Sequence, residues 1–167
     1  IALYEETLGV QPQNQRIYLA LAAVHQTLGQ SARAEQLLTW AAEIDQSAAE
    51  PLLALARLHA EQGRFDEQQT ALDRAVSRAP GSLAVCQARA AVFRGRGQAD
   101  LALAELERAA ADNPQSLEAQ LALAAELERQ GQAEAAAVLH RQAAEREHLA
   151  PAALRALAAA QSAAGDT

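Results

Sequence analysis

Lysine and methionine are absent from these 167 residues, cysteine occurs once, and aromatic residues make up only 3%. A single cysteine excludes an internal disulfide and a thiolate zinc cage. The scarcity of aromatic and β-branched residues argues against an all-β fold. No uncharged apolar run reaches the ~18–20 residues that a membrane span needs, so no membrane insertion is expected. Positive charge is also short. The 14 basic residues, all arginine, face 21 acidic ones, giving a net charge of −7 and a pI of about 5.1. That balance disfavours a general attraction to nucleic acid or to anionic lipid. With only five prolines and 50% hydrophobic residues, the chain does not have a disordered composition either.

What is present is helix-forming. There are 45 alanines, 24 leucines and 18 glutamines, all residues that favour helix alongside Glu and Arg. They are not spread at random. Gly29, Gly63, Gly97, Gly131 and Gly165 lie 34 residues apart. Ala22, Ala56, Ala90, Ala124 and Ala158 share that spacing, seven residues before each glycine, and Ala41, Ala75, Ala109 and Ala143 follow twelve residues after the first four. Pro12, Pro80 and Pro114 occupy a further slot of the same period, filled elsewhere by Gln46 and His148. An internal period of this size is the signature of a repeat architecture.

Within a period the apolar pattern is helical twice over. Leu52, Leu55, Ala56 and His59 are spaced i, i+3, i+4, i+7, and Ala71, Leu72, Ala75, Val76 and Ala79 form a second face. The glycine falls where the first helix should end, in a position that favours left-handed backbone. The proline falls where the second helix must stop. The small alanine before the glycine permits close helix approach. Neither helix buries its face alone, so neighbouring repeats must stack, and four complete repeats exceed the roughly three required.

These residues resemble the tetratricopeptide repeat, a 34-residue unit with small residues at positions 8, 20 and 27, Gly at 15 and Pro at 32. With Gly29 at position 15, full repeats span 15–48, 49–82, 83–116 and 117–150, flanked by half-repeats 1–14 and 151–167. The resemblance covers the whole chain. It departs from the family at position 20 of the second repeat, which is Gln68. It departs again at position 4, where Tyr18, Leu52, Cys86, Gln120 and Leu154 replace the usual Trp. The resemblance implies an all-α solenoid of ten helices in a right-handed superhelix, a single domain over 1–167, with first helices on the concave side. The leading and trailing helices are expected to expose apolar faces. The chain, which opens with Ile1-Ala2-Leu3-Tyr4, then reads as a piece of a longer array, able to self-associate through its open ends.

Positions 4, 7, 8 and 11 of each first helix are expected to point into the stack, and positions 2, 5, 9 and 12, about 100° further round, to line the concave groove. That row offers Leu19, Leu53, Arg57, Gln87, Arg94, Leu121, Glu128 and Arg155 as candidate partner-binding residues, with small alanines between them. Such a groove suits an amphipathic helix or an extended peptide whose acidic groups meet Arg, or else its leucines only pack neighbouring helices. The carboxylate clamp of some chaperone-binding members is missing: position 6 is Ala20, Ala54, Ala88, Ala122 and Ala156, and the only asparagines, Asn14 and Asn113, fall in turns.

Other chemistry-bearing residues have plainer readings. The first helix of the third repeat carries Arg89, Arg94 and Arg96 with no acidic residue from 83 to 97. Arg94-Gly95-Arg96-Gly97 has the look of a phosphate-contacting segment, but solvated pairing with acids such as Asp100 is expected. Arg89 sits at an apolar position and should find Glu118 or Glu126 of the next repeat. His25 and His59 fall at position 11, where they should pack between repeats. No His-x-x-x-His or cysteine pair suggests a metal, and no cofactor is expected. The same holds for His140 and His148. Cys86 should be a buried, unreactive thiol. Trp40 should serve a convex-face contact or be partly buried against the next repeat.

No nucleophile–base pair, paired carboxylate or phosphate loop is present, so an enzyme is not expected within these residues. The expected function is a protein-interaction scaffold for a protein or peptide partner. The alternative is a repeat region recruiting protein substrate to a transferase-type domain elsewhere on a longer chain. A pentatricopeptide-like RNA reader is disfavoured by the strict 34-residue period and the acidic pI. The Ala- and Arg-rich, Lys-free composition suggests a GC-rich bacterial source. The resemblance to bacterial arrays of this kind implies a cell-envelope, secretion or exopolysaccharide-export setting, with the cytoplasm as the other option.

Overall fold

A computed structural model describes residues 10–146 and the isolated Ala159. It gives eight helices, and among the described residues there is no strand. In chain order they are α1 (Gln15–Thr27), α2 (Ser31–Ile44), α3 (Glu50–Glu61), α4 (Phe65–Arg78), α5 (Leu83–Gly95), α6 (Ala99–Asp112), α7 (Leu117–Arg129) and α8 (Ala133–Arg146). They are the first and second helices of the four full repeats. The expected leading and trailing helices of 1–14 and 151–167 fall almost wholly outside the described residues, and so do Arg155, His148, Ala158 and Gly165.

The turn inside each repeat explains the glycine spacing. Gly29, Gly63, Gly97 and Gly131 all have φ between 71° and 75°, the left-handed region in which a side chain is strained. Each glycine N–H donates to the carbonyl three residues back. The next residue's N–H donates to the carbonyl five back, as from Gln30 to His25 at 2.8 Å and from Arg64 to His59 at 2.9 Å. This doubly bonded C-terminal cap satisfies carbonyls that would otherwise be orphaned at the end of every first helix. At the other boundary Pro80 and Pro114 stand two residues beyond the ends of α4 and α6, where the missing N–H forbids a further helical turn.

The chain forms two compact units divided between Pro80 and Gly81. In the first, α1 packs on α2, α2 on α3, and α3 on α4. In the second, α5 packs on α6, α6 on α7, and α7 on α8. The alanine registers are the contact points of both: Ala22, Ala56, Ala90 and Ala124 are buried, as are Ala41, Ala75, Ala109 and Ala143. Interleaved with them are leucines that recur at repeat position 24 of the second helices, Leu38, Leu72 and Leu106, each at most 3% exposed. His140 takes that position in α8 and is buried as well.

Polar groups tie repeats together inside each unit. In unit 1, Arg64 of the second repeat forks onto Glu35 of the first with two bonds of 2.8 and 2.9 Å. Arg78 Nη1 donates to the carbonyls of Ala42, Asp45 and Ala48 at 2.9, 3.3 and 3.1 Å. Those carbonyls end α2 and form the loop after it, so the cation also meets the negative end of a helix dipole.

Candidate functional site

Positions 4, 7, 8 and 11 of the first helices are buried or half-buried in all four repeats, and positions 2, 5, 9 and 12 are exposed or half-buried. In unit 1 this row frames a depression of about 320 Å³ lined by Leu19, Ala23 and Gln26 from α1 and Glu50, Leu53, Ala54 and Arg57 from α3, with Leu38 of α2 as its floor. Leu19 and Leu53 are half-buried, so each presents part of its apolar surface to solvent. Glu50 and Arg57 are exposed and form no ion pair among the described residues. The depression thus has an apolar base and two uncommitted opposite charges, one turn of α3 on either side of Leu53.

Unit 2 has a second depression, of about 250 Å³, lined by Gln87 and Arg94 from α5, Ala122, Ala125 and Arg129 from α7, and Leu106 of α6. Its chemistry is different because it is dominated by arginine. The structure therefore brings Leu19, Leu53 and Arg57 together in one unit, and Gln87 and Arg94 in the other. Leu121 is half-buried on α7 outside the second depression, and Glu128 pairs with His140 Nε2 at 3.0 Å instead of facing a groove. Sequence reasoning missed the floors, Leu38 and Leu106. Their signal was the 34-residue recurrence at position 24 of the second helices, which a search confined to first helices passes over.

Several individual expectations need correcting. Arg89 does not reach Glu118 or Glu126. It pairs with Glu105 Oε1 at 2.9 Å, on the second helix of its own repeat, and its guanidinium lies 5.7 Å from the centre of the Phe93 ring. The Glu126 expected for Arg89 instead receives Arg94 at 2.7 Å and Arg129 at 3.0 Å. Arg94 therefore belongs to an ion-pair cluster rather than a phosphate-contacting segment. Trp40 is 44% exposed and meets Tyr18 of its own repeat edge-on at 6.2 Å, with Arg33 over its ring, so its ring contacts come from its own repeat. Cys86 is buried, and burial pushes its thiol upward, which leaves little thiolate for chemistry.

His25, His59 and His140 are all buried. Among the described residues no three His, Cys, Asp or Glu side chains gather to hold a metal. His59 Nδ1 has no hydrogen-bond partner. Burial first, and then the nearby Arg64, hold this imidazole below its ordinary value, with Glu35 and Glu67 acting in the opposite direction. The Arg64 fork holds the Glu35 carboxyl below its ordinary value. Both shifts have the same consequence for stability. As pH falls below about 6.5 the unfolded His59 binds a proton that the folded one refuses, and below about 4.3 the unfolded Glu35 does likewise. The unfolded state binds more protons in each window, so acid lowers stability in two steps. In urea titrations the chain is expected to lose stability between about pH 7.5 and 5.5, and a His59→Phe variant to lose less over that interval.

Residues 49–92 match the tetratricopeptide repeat family. No curated protein matches the chain by sequence. Among solved structures, TTC0263, a thermophilic TPR protein of Thermus thermophilus, superposes with a TM-score of 0.71 at 21% identity, over 97% of this chain and 87% of that one. PilW, a widely conserved type IV pilus biogenesis factor, gives 0.65 at 21% identity over 90% and 70%. YrrB, a TPR protein with an unusual peptide-binding site, gives 0.56 at 18% identity over 95% and 82%. At these identities the likeness is one of fold, an all-α helical repeat.

Proposed function

We propose that this helical-repeat chain, which matches the tetratricopeptide repeat family over residues 49–92, is a protein-interaction scaffold whose α1–α3 depression receives a short amphipathic segment of a partner protein. The observation that supports this most is the composition of that depression. Leu19, Leu38 and Leu53 offer an apolar seat, while the flanking Arg57 and Glu50 keep their charges unspent. A partner with one or two apolar side chains, an acidic group toward Arg57 and a donor toward Glu50 satisfies all of these at once. Ala23 and Ala54 keep the walls low enough for a backbone to approach. No described helix is long and apolar enough to cross a membrane. The Lys-free, Ala- and Arg-rich composition supports a bacterial source, and the fold likeness to the pilus biogenesis factor PilW supports an envelope setting as part of the same reading.

The test is selection of displayed peptides of about 12 residues on the whole chain, followed by affinity measurement on two variants, Leu53→Ser and Arg57→Ala, each first checked for helical content by circular dichroism. Truncating a central anchor of such a site is expected to weaken binding by roughly tenfold or more. Selected peptides that bind both variants as tightly as the parent would overturn the assignment to this depression.

A further inference from the structure

We propose that the α5–α7 depression is a second binding site, one that accepts a carboxylate-bearing side chain. It stands on geometry separate from the α1–α3 depression, and it borrows from the scaffold reading only the idea that a peptide carries the carboxylate. Arg94 Nη1 and Arg129 Nη1 both donate to the same oxygen, Glu126 Oε2, at 2.7 and 3.0 Å. The Glu126 side chain is 1% exposed, whereas those of Arg94 and Arg129 are 33% and 55% exposed. A buried carboxylate thus anchors two guanidinium groups whose outer parts line the depression.

The charge count gives the ligand its sign. Two guanidinium groups against one carboxylate leave the cluster with a net charge of +1. Each arginine carries five N–H donors in a fixed fork, and the bond to Glu126 occupies only part of it. A second carboxylate entering from solvent brings the cluster to neutrality and meets preoriented donors, the arrangement in which charge-assisted bonds are strongest. The remaining lining suits a short stem: Leu106 and the methyl groups of Ala122 and Ala125 are apolar, and Gln87 adds an amide at the rim. A volume of about 250 Å³ accommodates an Asp or Glu side chain. A phosphate dianion would instead leave excess negative charge against the buried Glu126, so the site favours the monoanion. Glu126 acts here as a positioning residue, since it holds the guanidinium groups without facing the ligand.

The experiment follows the arginine Nε–Hε resonances of the ¹⁵N-labelled chain while Ac-Ala-Glu-Ala-NH₂, Ac-Ala-Gln-Ala-NH₂ or inorganic phosphate is added. With the glutamate peptide, the Arg94 and Arg129 resonances are expected to shift saturably while those of Arg57 and Arg89 stay in place. The glutamine peptide is expected to bind at least about tenfold more weakly. Arg129→Gln, which leaves Arg94 on Glu126, is expected to weaken the glutamate peptide by a similar factor. The proposal is overturned if Arg94 and Arg129 do not respond, if Arg57 and Arg89 move in step with them, or if phosphate binds as tightly as the glutamate peptide. Failure here leaves the α1–α3 reading standing, because that reading is scored at Leu53 and Arg57.

Discussion

Replacing Arg94 and Arg129 together by alanine is expected to destabilise unit 2 by about 3–5 kcal/mol, the cost of stripping the partners from a buried charge. The reason is the asymmetry of the cluster. Glu126 is 1% exposed and cannot reach water by a change of rotamer, whereas both arginines are partly exposed and can. With both gone, Gln130 Nε2, at 3.5 Å from Glu126 Oε1, is the one remaining donor described on that carboxylate, too long and too weak to replace two guanidinium groups. Either single variant should cost less, since one arginine stays on Glu126.

The same reasoning predicts a rescue. Glu126 occupies repeat position 10, where the other repeats carry Val24, Leu58 and Val92, and Leu58 is 2% exposed. Adding Glu126→Leu to the double variant restores an apolar residue to an apolar register and should recover most of the loss, because exchanging a buried ionic cluster for packed hydrocarbon is often neutral or stabilising. Urea unfolding gives the totals, and amide exchange in α5 and α7 gives the location. A double variant as stable as the parent would mean that Glu126 is solvated in solution and that the cluster orders nothing.

Glu126 also marks where the sequence stops being legible. The fold could be read because every repeat restates it: a glycine that must be left-handed, an alanine that must be small, a proline that must end a helix. Four restatements make each single departure harmless, so Gln68 at a small-residue position did not obscure the period. Six of the eight residues lining the unit 1 depression belong to the row at positions 2, 5, 9 and 12, which the same period picks out. Features that occur only once were harder to place. A glutamate in an apolar register has no pattern to announce its partners, and its two arginines are fixed by side-chain reach rather than by spacing. The expectation that Arg89 meets the following repeat treats stacking as the main source of neighbours. Within a helical hairpin, however, position 7 of the first helix and position 23 of the second lie side by side, which delivers Arg89 to Glu105. The expectation for Trp40 against the next repeat rests on the same logic, and Trp40 instead shares its own hairpin with Tyr18.

Position 4 carries the other large effect. The family resemblance puts one bulky aromatic there, and this chain puts four different residues, each of which uses the site in its own way. Tyr18 donates its hydroxyl to the carbonyl of Pro12 at 3.2 Å, and Gln120 sends Nε2 to the carbonyl of Pro114 at 2.9 Å. Both reach a proline six positions back, and Pro114 is the one that follows the end of α6. Leu52 and Cys86 have no comparable donor to send there, and they contribute by burial, at 0% and 1% exposure. The two should therefore differ in how much they lose on truncation. Leu52→Ala removes three carbon atoms from the middle of unit 1, where α3 is held by α2 and α4 and cannot simply collapse, and is expected to cost about 2–5 kcal/mol. Cys86→Ala removes a single sulfur at the same repeat position of α5, the first helix of unit 2, and should cost about 1 kcal/mol. Equilibrium unfolding of the two variants side by side is the check. Comparable losses would show that the register itself, rather than the volume filling it, sets the energy of the position, and a Leu52→Ala chain within about 1 kcal/mol of the parent would show that the helices around Leu52 close over the gap.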